Sequence, residues 1–435
     1  MEPQSAYSAV ASFIGNVSLY FWLEIFLLFI YRILIVNVVF VLFSMALRNN
    51  APLIVSSRAM YINKNKMRNK KICCIFNYAP HYRYSVYQKM AETFDVNYYF
   101  GDKLIESGQI KKIEYSQLKG FKGEFTIKIY SHFVIWKGLL NLLLKHYDIY
   151  VLTGRTKVIN QWVFLFLCKI FNKKTYNWWH GFAPGHQLKG FRRIKEKFFF
   201  SLFSGHLIYG DKARLYMEEI GFLPEKMNTI YNSLDYDKSL IFRKAPLENP
   251  IYHEHFKNSA PTLIFIGRLT KVKKLEMLIE AYYQLEKQGM LLNLVFVGDG
   301  PEKDTLEKMA DGDKRIWFHG ALYDEDKIAQ LLYNADLCVS PGNVGLTAIH
   351  AIYYGLPVIT NNNFTTQMPE HEAIIPSKTG DFFKDNDANS LCYTIKKWFN
   401  TNKSREEVRK NCYEIADSKF NPYNQVSILK RVWKL

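Results

Sequence analysis

From residue 71 onwards, short runs of consecutive apolar residues alternate with longer segments whose apolar positions recur every three or four residues. The continuous runs predict buried strands, and the periodic segments predict helices with one buried face. Strands are expected at 71–76 (KICCIF), 96–100, 148–153, 174–179, 206–209 and 227–231, with helices near 82–94, 131–146, 156–172, 190–204 and 211–221. Phe242–Ala260 is polar, carries two prolines and has no clean period, so it reads as a linker. The alternation then restarts. Strands are expected at 262–266, 293–297, 315–318, 336–339, 357–360 and 381–383, and helices near 274–288, 302–310, 324–334, 345–354 and 388–399. Strand–helix alternation in two blocks predicts an α/β chain of two similar lobes, each a parallel sheet covered on both faces, with a cleft between them.

The first 66 residues do not share this pattern. Residues 25–47 form an apolar stretch broken by Arg32 and Asn37, long enough to span a bilayer. An arginine near the middle of a span costs about 2.5–3.5 kcal/mol on insertion scales. Arg48, Arg58, Lys64, Lys66, Arg68, Lys70 and Lys71 follow it. If the span is real, these cations place the lobes on the cytoplasmic side. The stretch lacks the basic start and small-residue cleavage site of a secretory signal. The alternative is that residues 1–66 precede the true start, with Met67 four residues before the first strand. The expected plan is therefore an extension at 1–66, a first lobe at 67–245, a second at 246–422, and a terminal helix at 423–435 packing back on the first lobe.

Composition narrows the partners. Net charge is +17, which implies an anionic partner: a phosphorylated substrate, an anionic lipid surface or nucleic acid. Nucleic acid is set aside, because the sequence has no zinc-finger spacing, aromatic RNA-binding signature or long basic arm. The six cysteines (73, 74, 168, 338, 392 and 412) include no C-x-x-C and read as reduced core thiols.

Candidate chemistry gathers where expected strands end. Leu263–Ile266 runs into Gly267 and Arg268, with Lys271, Lys273 and Lys274 beyond; cations there can neutralise a diphosphate. Leu294–Val297 runs into Gly298 and Gly300, which allow close backbone approach. Leu337–Ser340 leads through a glycine-bearing loop to a helix whose first N–H groups, at Gly345, Leu346 and Thr347, can bind phosphate. His350 lies further along that helix. In the first lobe His81 and Arg83 follow the first strand, and His180 ends another, so all three fall on the cleft side. The Asp-x-Asp triplets at 235–237, 311–313, 324–326 and 385–387 read as solvated turns, and no metal site is expected.

On these residues the second lobe resembles the retaining glycosyltransferases of family four, the group 1 transferases of GT-B fold. The motifs are GRLTKVKK at 267–274, VGDGP at 297–301, FHG at 318–320 and the run from Asp336 through Val358. Asn232-Ser-Leu-Asp235 stands where the family often has Asn-Gly-Val-Asp, and His180-Gly181 matches its first-lobe His-Gly. The resemblance spans about 67–435 and is specific in the second lobe. It implies a GT-B fold and a nucleotide diphosphate sugar as co-substrate, with no cofactor or metal. Arg268 and Lys273 would hold the diphosphate, helped by the Gly345–Thr347 N–H groups. Glu372, placed by the family's Pro-Glu ahead of Ser377-Lys-Thr-Gly380, would shape the donor pocket, with Gly267, Gly298, Asn343 and His350 also on the donor side. His180 would be catalytic, and His81 and Arg83 would face the acceptor.

One departure stands out. The family's Glu-x7-Glu pair reads here as Gly342 and His350. The Ser-Pro-Gly-Asn-Val-Gly-Leu loop with its Ile349-His350 helix resembles a distinct branch, in which Asn343 and His350 would take over polar contacts. The implied function is transfer, with retention, of a sugar to a glycan acceptor such as a polyprenyl-diphosphate-linked oligosaccharide, in bacterial capsule, O-antigen or exopolysaccharide assembly. Two other readings stay open: a nucleotide-sugar epimerase of the same fold, and a degenerate sugar-nucleotide-binding membrane partner. The Phe191–Phe200 segment alternates basic and aromatic residues, so it fits an anionic bilayer surface or a helix packed on the first lobe. The expected location is the cytoplasmic face of the inner membrane.

Overall fold

The computed structural model describes residues 70–103, 111–182, 188–246, 250–401 and 403–435. The apolar stretch at 25–47 lies outside them, and no helix among the described residues is long and apolar enough to cross a membrane.

The first lobe runs β1 (Lys71–Phe76), α1 (Tyr84–Thr93), β2 (Asp95–Gly101), β3 (Phe121–Phe125), a hairpin of β4 (Ile127–Ile129) and β5 (Val134–Trp136), β6 (Ile149–Leu152), α2 (Ile159–Ile170), β7 (Lys174–Trp179), α3 (Gly190–Ser201), β8 (Gly205–Ile208), α4 (Asp211–Glu219) and β9 (Met227–Thr229). Its seven-stranded sheet has the order β3-β2-β1-β6-β7-β8-β9, and every neighbouring pair is parallel. Ile72 to Phe76 are buried, as a strand covered on both faces requires. Aromatic rings fill much of this core: Phe76 stacks on Tyr87 at 5.5 Å and meets the edge of Trp178 at 5.7 Å.

The second lobe begins with α5 (Tyr236–Lys244) and α6 (Ile251–Phe256). It continues through β10 (Thr262–Ile266), α7 (Leu275–Lys287), β11 (Asn293–Val297), α8 (Lys303–Ala310), β12 (Ile316–Gly320), α9 (Glu325–Asn334), β13 (Leu337–Ser340), α10 (Thr347–Tyr353), β14 (Val358–Asn361), β15 (Gly380–Phe383), α11 (Ala388–Phe399), α12 (Arg405–Ser418) and α13 (Pro422–Trp433). Its six strands, all parallel, have the order β12-β11-β10-β13-β14-β15. In both sheets the strand order reverses once, between β1 and β6 and between β10 and β13. Loops leaving such a pair in opposite directions open a crevice at the strands' carboxyl ends.

Strand β3 and helix α5 were not expected, and three further departures have clear causes. The helix expected at 131–146 is the β4–β5 hairpin arm followed by a short 3-10 turn at Leu140–Leu144, and Gly138 at φ 79° interrupts the helical path. The expected linker contains α6, which buries Tyr252 and Phe256 in the second-lobe core. Helix α12 was not foreseen: only Val408, Cys412 and Ala416 are buried on it, a stripe too narrow to stand out.

The terminal helix α13 leaves the second lobe and packs on α1. Trp433 lies 5.2 Å from the Phe94 ring, and the Tyr176 hydroxyl donates to the carbonyl of Val432. A second joint runs through the 3-10 turn Pro369–Ala373. There the Glu372 carboxylate accepts the N–H groups of Asp211 (2.9 Å) and Lys212 (2.8 Å) at the start of α4, so a second-lobe side chain caps a first-lobe helix. All six cysteines are buried and none is in a disulfide.

Candidate active site

The second-lobe crevice is built by backbone fitted against backbone. Gly267 and Leu269 donate their N–H groups to the carbonyls of Val297 and Asp299, lacing the turn after β10 to the turn after β11. A Cβ on Gly298 would stand 1.9 Å from the Gly267 oxygen, so only glycine fits there. Across the switch point, Gly342 and Asn343 donate to the carbonyls of Lys273 and Val272. A Cβ on Gly342 would lie 2.0 Å from the Val272 oxygen. The other side of this loop is tied by Gln367 and Asn361, which both donate to the Gly342 carbonyl, and by Asn343, whose amide donates to Thr366. The loop is therefore rigid without a ligand.

Two cations serve this crevice differently. The Lys273 ammonium donates to the carbonyls of Asn343 and Val344, and burial lowers its pKa to about 8 against the pull of Glu370. Arg268 is exposed and makes no hydrogen bond or ion pair among the described residues. Lys274 is spent on Asp385 and Asn386. Gly345 takes φ 52° and turns the chain into α10. The N–H groups of Gly345, Leu346 and Thr347 find no acceptor among the described residues, while the Thr347 hydroxyl donates to the last carbonyl of β10, Ile266. The structure thus brings Gly267, Arg268, Lys273, Gly298, Asn343, Gly345, Leu346 and Thr347 to one switch point.

His350 points along a different contact. Its Nε2 lies 2.8 Å from Oε1 of Glu325, the first residue of α9, and the Tyr354 hydroxyl donates to the same oxygen.

In the first lobe, His81 and Arg83 leave β1 in a 3-10 turn, and His180 follows β7. The Arg83 guanidinium lies 5.2 Å from the centre of the Tyr209 ring, and the His180 ring meets the same tyrosine edge-on at 5.0 Å. His180 is exposed at the crevice, and partial desolvation of its ring, then the charges of Arg83 and Arg155, lower its pKa, so the ring is neutral at pH 7. His81 sits further out, its Nδ1 against the Lys111 carbonyl.

Two carboxylates beside the site were not singled out from the sequence. Glu370 is 2% exposed, accepts from the Asn232 amide at 2.7 Å, and has a second oxygen with no partner among the described residues. Burial raises its pKa, opposed by Asn232 and by the charges of Arg83 from one lobe and Lys273 from the other. It comes from Pro369-Glu370, the one Pro-Glu dipeptide in this turn, whereas Glu372 has both oxygens committed to α4. Glu325 is the other. The Asp-x-Asp residues have local duties: Asp235, Asp324 and Asp387 cap helices.

Residues 252–415 match the family model described as glycosyl transferases group 1. A 41.2 kDa protein of the cps region of Klebsiella pneumoniae is 26% identical over 226 residues, 50% of this chain and 57% of that protein. The sulfoquinovosyl transferase SQD2 of Arabidopsis thaliana is 28% identical over 159 residues, 35% of this chain and 29% of that one. The chain thus spans about half the length, or less, of these curated relatives. The crystal structure of Anabaena HepE with UDP superposes with a TM-score of 0.62 at 16% identity, covering 84% of this chain and all of that one. The two parallel sheets are those of the GT-B fold. The group 1 expectation is supported by the family model in the second lobe and by the solved neighbour for the fold.

Proposed function

We propose that this chain is a glycosyltransferase that takes a sugar from a nucleoside diphosphate donor and adds it, with retention, to a glycan acceptor. The observation that carries the reading is the second-lobe switch point. There a loop tied on both sides presents three N–H groups, unpaired among the described residues, beside Lys273, with Arg268, likewise unpaired among them, on the facing turn. Such a site suits the departing diphosphate, whose charge grows as the sugar leaves; fixed cations and N–H groups stabilise it without reorganising. Arg268 and Lys273 neutralise the phosphates, Gly345 to Thr347 hydrogen-bond them, and Gly267 and Gly298 keep the turns close enough to do so. Asn343 holds the loop shape. Glu372 acts on the donor pocket through the joint that sets the lobes' spacing.

The first lobe takes the acceptor. His180, its pKa lowered and its ring neutral, orients an acceptor hydroxyl by hydrogen bonding rather than by storing its proton. The Arg83 guanidinium favours an acceptor that carries negative charge, with the neutral His81 ring beside it, in line with a polyprenyl-diphosphate-linked oligosaccharide. The cps-region relative supports a setting in bacterial surface polysaccharide synthesis. On α3, Phe199 and Phe200 are buried while Phe191, Ile194 and Phe198 are 71%, 66% and 60% exposed. Arg192, Arg193, Lys195 and Lys197 share the helix. This face supports docking on an anionic membrane at the cytoplasmic side.

Nucleoside diphosphate release by the full chain, screened over common nucleotide sugars, tests the reading. One donor should release its diphosphate slowly in water and faster with acceptor, and Arg268→Ala should lower the rate by about 10²–10³. An enzyme that interconverts nucleotide sugars without releasing diphosphate would be an epimerase instead.

A further inference from the structure

Glu325 has no part in the diphosphate site, yet its surroundings are those of a functional group. Helix α9 starts at the carboxyl end of β12, and α10 starts at the carboxyl end of β13, so both first turns open on the ligand side of the sheet. Asp324 caps α9 by accepting the N–H groups of Asp326 and Lys327, which fixes the turn that carries Glu325. One Glu325 oxygen takes both the His350 Nε2 and the Tyr354 hydroxyl. Burial would raise its pKa, but the His350 ring, the Tyr354 hydroxyl and Lys238 outweigh that and hold it below the usual carboxylate range. It is therefore a carboxylate at any physiological pH. A carboxylate facing Nε2 keeps the proton on that nitrogen and leaves Nδ1, which has no partner among the described residues, turned away from it. His350 lies three residues beyond Thr347, about 4.5 Å further along the helix. That is within one helical turn of the N–H groups assigned to the diphosphate. The charge of Glu325 is also felt by His81 of the first lobe and by Asp235 between the lobes.

We propose that Glu325 is a positioning residue for the donor: it fixes the orientation and proton of His350, whose free ring nitrogen binds a sugar hydroxyl adjoining the diphosphate. This rests on the nucleotide-sugar reading of the site. The hydroxyl belongs either to the nucleoside's ribose or to the sugar being transferred. Tyr354 completes the arrangement by occupying the remaining lone pair of the shared oxygen.

Calorimetric titration of the full chain with UDP, GDP and their glucose or mannose conjugates tests it. Glu325→Gln keeps the shape and the acceptor for Tyr354 but reverses the polarity offered to His350. It should weaken binding about tenfold, raise the donor KM with little change in kcat, and leave the acceptor KM and the thermal midpoint unchanged. In a His350→Ala background the same substitution should cost nothing more, because Glu325 acts through that ring. Equal weakening for UDP and its sugar conjugate places the contact on ribose; weakening of the conjugate alone places it on the transferred sugar. Unchanged affinity in Glu325→Gln, or losses that add in the double variant, would overturn the positioning role while wild-type binding kept the donor site intact. A wild-type chain that binds none of these ligands would overturn the donor reading itself, and this inference with it.

Discussion

Lys273 is the residue whose charge state the fold has tuned most usefully. Its ammonium is lodged against two carbonyls and loses its proton near pH 8 rather than 10.5 because it is buried. The charged form exists below that pH, so affinity for the nucleoside diphosphate of the proposed donor should be highest below pH 8 and fall as pH rises through it. Titrations from pH 6.5 to 9.5 should show this limb, and Lys273→Arg should move it beyond the range, since a guanidinium stays protonated. Cations of this kind are legible in a sequence because they follow a glycine at the end of an apolar run. Arg268 and Lys273 were found that way. Glu370 and Glu325 were not, for a physical reason: their meaning comes from partners 138 and 25 residues away, Asn232 and His350. Two glutamates separated by one residue look alike in sequence. In space one carboxylate is buried between cations of both lobes and the other caps a helix.

At the scale of elements, the loop from Pro341 to Val344 fits because residue 342 has no side chain. Gly342→Ala would press a methyl into the Val272 carbonyl at 2.0 Å. An overpacking cost of about 1–3 kcal/mol is expected, read as a lower denaturant midpoint together with weakened binding of the nucleoside diphosphate. A lower midpoint with normal binding would separate the loop's packing from its role in the site. The strands were readable because they are buried on both faces and so run apolar without interruption, as in β10 and β11. The misses lie where that rule fails. In 131–146 the leucines keep a helical period, but Gly138 takes a left-handed φ and the residues before it pair as β5 with β4. In α6 six residues are too few to show a period, and their place is set by Tyr252 reaching the Leu331 carbonyl at 2.7 Å.

For the whole molecule, the basic surplus and the exposed face of α3 belong together. Phe166 and Ile170 on α2 are 50% and 60% exposed, and Trp162 of that helix touches Phe198, so the apolar face continues from one helix to the next. Cosedimentation of the full chain with vesicles should rise with the anionic lipid fraction and fall in high salt. Each cation near the surface contributes about 1 kcal/mol. Replacing Phe191, Ile194 and Phe198 together by serine should lower binding at least about tenfold. Equal binding to neutral vesicles would remove the electrostatic part of the proposal, and unchanged binding by the triple variant would remove α3. Burial of the cysteines has a consequence of another sort. With every native thiol sealed inside the lobes, an alkylating reagent meets a blank surface on the folded protein. A cysteine introduced on either lobe would therefore be the lone reactive handle. Dyes placed in this way could report the distance between the lobes as ligand is added, and unwanted labelling of the native sulfurs would itself betray a molecule that had come undone.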